Sequence, residues 1–127
     1  MSALSDAHAN NILEASVAKT AFTASTAPMK LRLMTTTPTS SSNGTQVTGG
    51  SYSSQTVTFA AAASQSITTD IAANYTGMPA ATVTAVELWD SAGTPVRKWW
   101  GLLSASKTTN LNDTFSIAAG SLTLSFA

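Results

Sequence analysis

Ionised side chains are scarce in this sequence. Its 127 residues carry six Lys and Arg against six Asp and Glu, with a single histidine, and charged residues make up 9% where an average domain has about 25%. Cysteine is absent, which excludes disulfides, thiolate metal sites and cysteine nucleophiles. No apolar run is long enough to span a bilayer, and the first residues lack a basic-then-apolar export pattern, so neither a membrane segment nor a cleaved leader is expected. Glycine-rich phosphate loops, Gly-x-Ser-x-Gly and His-Glu metal patterns are missing as well. Repeats and coiled-coil heptads are also lacking.

These absences bear on function. A folded chain of 13.0 kDa exposes on the order of 6,000 Å². A dozen charged side chains, at roughly 100 Å² each, cover only about a fifth of that. Such a surface has no basic cluster for nucleic acid, and a net charge of zero does little to oppose self-association. The expectation is one domain that lives in an assembly.

Residues 82–103, TVTAVELWDSAGTPVRKWWGLL, are the part around which the rest must fit. They read as strand, turn, strand, with Asp90 opening the turn and Gly93 free to take a positive φ. Large apolar groups fall on both faces of this hairpin, including all three tryptophans, Trp89, Trp99 and Trp100. A hairpin with one wet face alternates cleanly. Here one face is expected to pack on the core, and the other to be covered by something else, within the domain or from another subunit.

Before the hairpin, residues 5–20 form the one convincing helix. Ser5 is placed as N-cap and Asp6 lies in the first turn, with Lys19 near the far end. Ile12, Leu13 and Val17 share a narrow apolar stripe. A short helix needs tertiary packing, so the stripe must dock on a sheet or a neighbour. His8 in its first turn is expected at the surface or in a capping role. Residues 29–34, MKLRLM, alternate as a half-buried strand does. Residues 35–51 are Thr, Ser, Gly and Asn almost throughout; they cannot pack a core, and read as a long exposed loop that orders along a partner.

Strands are expected within 53–62 and 67–71. Residues 74–81, with Gly77 and Pro79, read as a loop into the hairpin. Two further alternating strands lie in 114–117 and 122–126, after a turn at 110–113. The architecture is therefore mainly β: an antiparallel β-sandwich or barrel of six to eight strands with one N-terminal α-helix. Residues 1–127 form a single domain, with its β core over about 53–127.

The six carboxylates Asp6, Glu14, Asp70, Glu87, Asp90 and Asp113 are scattered. Glu87 and Asp90 are the nearest pair, but an odd separation along a strand puts them on opposite faces, and Asp90 and Asp113 are better explained by their turns. No catalytic residue, metal ligand or cofactor site is expected. The residues proposed for contacts are Ile12, Leu13, Val17, Trp89, Trp99 and Trp100.

Residues 2–22, SALSDAHANNILEASVAKTAF, together with VELWDSAG and the close WWGLLSASKTTNLNDTFSIAAGSLTLSF, resemble a family of small virion proteins of tailed phages, particularly those of actinobacteria. The chain departs from the pattern at Leu102, where a small residue is usual, and at Asn112, where glycine is common; these imply altered packing near the tryptophans and an altered turn. Members carry the labels of head decoration or minor capsid proteins, and others of tail-fibre proteins. The resemblance implies a structural protein of the particle. Absence of a repetitive shaft favours a capsid decoration protein on the head exterior, bound to the major capsid protein and stabilising the shell, with a homotrimer matching local threefold points. A tail-fibre or minor tail protein contacting the host surface is the alternative.

Overall fold

The hairpin at 82–103 becomes the centre of the molecule. In the computed structural model, which describes residues 2–126, it forms β6 (Ala81–Trp89) and β7 (Arg97–Thr109), paired antiparallel. β1 (Ser2–Leu4) pairs with the outer edge of β7, and β2 (Met29–Met34) with the far side of β6; β3 (Gln55–Val57) follows β2. The sheet order is β1-β7-β6-β2-β3, every neighbour antiparallel. Two strand pairs complete the β structure: β4 (Ser66–Thr68) with β9 (Thr123–Ser125), and β5 (Ala73–Met78) with β8 (Asp113–Ile117).

The core lies between the five-stranded sheet and these pairs, as in a β-sandwich. Register sets Leu31 opposite Leu88 and Leu33 opposite Val86, so one face of β2 and β6 is continuously apolar. Tyr75, Phe115 and Leu124 close on it from β5, β8 and β9. The buried Tyr75 phenol donates to the Leu31 carbonyl at 2.9 Å, tying the layers; its ring stacks on Tyr52 and meets Phe115 edge-on.

The sandwich expected from the alternation is what forms, with nine strands among the described residues. Two arise where the sequence suggested none. β1 is too short to show periodicity. β5 occupies the stretch read as a loop, because Gly77 at φ 62° is absorbed in a register shift between Tyr75 and Met78 rather than ending the strand. Pro79 falls after the strand end.

The helix is shorter than expected: α1 spans Asp6–Ser16. Ala18 takes φ 58°, its N–H reaches Ala15 O, and Lys19 N–H reaches Glu14 O at 2.9 Å. This is the paired closure of a Schellman motif, built on alanine where glycine is the usual residue. Ser5 occupies the N-cap position but makes no side-chain cap; its hydroxyl donates to Arg97 O at 2.8 Å and its N–H to Lys98 O, stitching the helix start to β7. Gly93 is not needed for a positive φ. The 90–96 turn is held instead by Asp90, which accepts from Val96 N–H at 2.9 Å and Ala92 N–H at 3.4 Å.

Candidate interaction surface

The second face of the hairpin is covered by the chain's own 35–51 stretch. That stretch has no strand of its own beyond a bridge from Gln46 to Met34, yet Pro38 and Val47 are buried. Most of the stretch is exposed, as expected; the expectation that it orders along a partner is corrected, since it lies along its own β6 and β7. What holds it is ionic. Glu87, fully buried, accepts from Arg97 Nη1 at 3.3 Å, Gly44 N–H at 2.8 Å and Trp89 Nε1 at 2.9 Å. Arg97 in turn donates to the carbonyls of Ser42 (2.9 Å), Thr39 (2.7 Å) and Ser40 (3.0 Å). Gly44 is required for this approach, since a Cβ there would lie 2.6 Å from Thr36 O.

Sequence reasoning missed this cluster because its members are spaced along 39–97. One signal was available: in a two-residue-period hairpin, Glu87 and Arg97 fall near each other across the strands, and buried charges pair.

Glu87 and Asp90 therefore do not form an acid–base pair. Each has its own cation, Arg97 at 3.3 Å and Lys98 at 3.6 Å. Burial opposes ionisation of Asp90, but the Val96 and Ala92 N–H groups and the Lys98 ammonium outweigh it and hold the carboxyl below its ordinary value. His8, expected at the surface or in a capping role, is the one buried residue of α1. Burial first, and then Lys98, lower its pKa, with Asp90 pulling the other way. The helix start packs on β7 through Ser5, and this carries the imidazole under cover. No group of three or more His, Asp or Glu gathers in metal-binding range among the described residues.

The indoles divide between the faces. Trp99, opposite Leu88, packs half-buried against the core and against the Phe126 ring at 6.1 Å. Trp100, opposite Glu87, lies on the other face; its Nε1 is buried with no hydrogen-bond partner among the described residues. Trp89 is half-buried under the Arg32 guanidinium, 4.0 Å from the ring centre, a cation–π contact.

The helix stripe is left open. Ile12 is half-buried, whereas Leu13 is 63% and Val17 75% exposed, and Phe22 beyond the helix is 59% exposed. The six residues proposed from the sequence thus form no single patch: three indoles flank the central sheet on both faces, and the helical three lie on α1 and its C-cap.

β7 and the β8–β9 segment line an open groove of about 1150 Å³. Leu102, 45% exposed, and Phe115 are among its lining residues. Asn112 in the turn before β8 takes φ 69°, a conformation in which asparagine substitutes for glycine at small cost.

The sequence profile of the podophage GP4 fiber I protein gp80 family matches residues 3–125. The chain belongs to this family. Membership supports a phage structural protein, the coarser part of what the sequence resemblance implied; it specifies neither an actinobacterial host nor decoration of the head. No curated protein matches the chain.

Proposed function

We propose that the chain is a structural component of the fibre apparatus of a tailed-phage particle, acting through protein–protein contact and not through catalysis. The observation that carries this is the match to a family described as a fiber protein across residues 3–125. The geometry supports it. Glu87 and Asp90 are used up in internal ion pairs, while Leu13, Val17 and Phe22 lie uncovered. Exposed apolar side chains of this size on a nearly uncharged domain suit burial against another protein.

A second reading is capsid decoration: attachment to the major capsid protein on the head exterior, as trimers at local threefold points. The lack of repeats and coiled-coil heptads that a fibre shaft would need favours it.

Copies per particle, measured by quantitative mass spectrometry on purified virions with immunogold labelling, separate the two. A handful of copies with label at the tail supports the fibre. Hundreds of copies with label over the head overturn it in favour of decoration. A chain missing from purified particles overturns both.

A further inference from the structure

Residues 39–44, the strap laid over β6 and β7, contain a peptide unit able to modify itself. Of the chain's six asparagines, only Asn43 precedes a glycine. In such a pair the glycine nitrogen can attack the asparagine Cγ, because no Cβ hinders the approach. Asn43 is exposed, and its side chain has no hydrogen-bond partner among the described residues. The side-chain amide is therefore free to react. The Gly44 nitrogen is not.

The Gly44 N–H donates to Oε1 of the fully buried Glu87 at 2.8 Å. Gly44 also sits where a Cβ would lie 2.6 Å from Thr36 O, so its backbone cannot roll toward the Asn43 side chain without leaving its place. The flanks are pinned too. Thr39 N–H donates to Ser42 O at 2.9 Å, Thr45 N–H donates to Thr36 Oγ1 at 2.7 Å, and Arg97 holds the carbonyls of Thr39, Ser40 and Ser42. A carboxylate in this position could instead serve as the base for the attack. Two facts weigh against that role. Oε1 is shared with the Arg97 guanidinium, which lowers its basicity. A backbone amide is also far the weaker acid, so the hydrogen bond keeps the proton on nitrogen.

We propose that Asn43–Gly44 is a self-modification site gated by the strap: seated on Glu87 it is preserved, and once released it converts and cannot reseat. In the reaction the Gly44 nitrogen gives up its proton and bonds to Asn43 Cγ. The Cγ–Nδ2 bond breaks, and ammonia leaves with that proton. Water then opens the cyclic imide at either carbonyl, giving aspartate or, with the main chain rerouted through Cγ, isoaspartate. Nothing is oxidised or reduced, and water is the only co-reactant. The imide has no N–H for Glu87, leaving a buried acceptor short of one donor. Isoaspartate adds a methylene to the main chain just before Gly44, where the backbone has no room against Thr36 O. Opening of the strap is thus written into the covalent structure. This is a property of the chain alone and does not depend on whether fibre or head carries it.

Closure and reaction compete for one N–H, so two independent measurements must agree. Amide exchange of Gly44 and conversion of Asn43 both proceed from the open strap, and both track its population when closing is fast. The full chain is held at mildly alkaline pH, digested and mapped by mass spectrometry, with the synthetic peptide SSSNGTQ as the unprotected reference. Conversion in the chain is expected to be slower than in the peptide by the same factor that slows Gly44 exchange. Arg97→Ala should speed both by one common factor; should that variant fail to fold, sub-denaturing urea applied to the unaltered chain makes the same comparison. Chain purified after conversion to isoaspartate should keep fast exchange over residues 39–44. Conversion as fast as in the peptide overturns the gate, and faster conversion overturns it by making Glu87 the base. Conversion that stays constant while Gly44 exchange quickens has the same consequence. An isoaspartyl chain with its protection restored overturns the one-way step. Loss of the chain from purified particles would sink the functional reading and leave these results standing.

Discussion

At the scale of single residues, Arg97 decides how the polar stretch folds. It is buried, pairs with Glu87 and donates to three carbonyls of residues 39–42. Arg97→Ala leaves Glu87 buried without its cation, and such a change costs about 3–5 kcal/mol. Urea unfolding should register that loss, and amide exchange across 39–44 should quicken under native conditions. A loss below about 1 kcal/mol would mean that water or another donor replaces the guanidinium. His8 supplies a pH dependence. Its folded pKa lies below the ordinary 6.5, so the unfolded chain takes up the proton first. Stability from this residue is complete above about 6.5 and declines as pH falls from there toward the folded value. His8→Gln should flatten the thermal midpoint between about pH 7 and 5; an unchanged slope would place the titration elsewhere. Asp90 acts lower on the scale. With its folded pKa depressed below 3.8, its contribution is present above that value and lost as pH drops through the folded one.

Among the elements, α1 is the least finished. It closes on Ala18 at φ 58°, a conformation that costs a non-glycine residue roughly 1 kcal/mol. Ala18→Gly should therefore raise stability, by up to about 1 kcal/mol less the entropy glycine loses on folding. Thermal denaturation checks this, and a clear decrease would show that the left-handed closure is not kept in solution. The helix holds to the body through its first turn, by Ser5 and His8, while Leu13 and Val17 of its apolar stripe face away from the core. The long hairpin is the opposite case. β6 is buried on both faces, by the sandwich core on one side and by residues 35–51 on the other.

For the molecule as a whole, the open helix stripe predicts a separation of stability from assembly. Leu13→Gln with Val17→Gln changes two residues that are 63% and 75% exposed. Surface changes of this kind shift stability by about 0.5 kcal/mol or less. The folded chain should survive, and incorporation into particles should fall. Wild-type incorporation of the double variant would remove the stripe from the assembly surface, whereas an unfolded variant would show that the stripe is core.

Period-two alternation was enough to find β2, β8 and β9, and turn chemistry to find the 90–96 connection, because these signals are local to the residues that carry them. The shortage of charge, too, is a property of composition, and it set the expectation of an assembly before any fold was known. Composition also described residues 35–51 correctly as largely exposed, though Val47 joins the core. It could not say where they would lie, since their anchor is a guanidinium some fifty-five residues away. His8 is buried, β5 continues through a glycine, and adjacent Trp99 and Trp100 part to opposite faces with different partners. Each of these outcomes depends on which distant strand arrives alongside. Burial and ion pairing are set by such neighbours, which only the folded chain brings together.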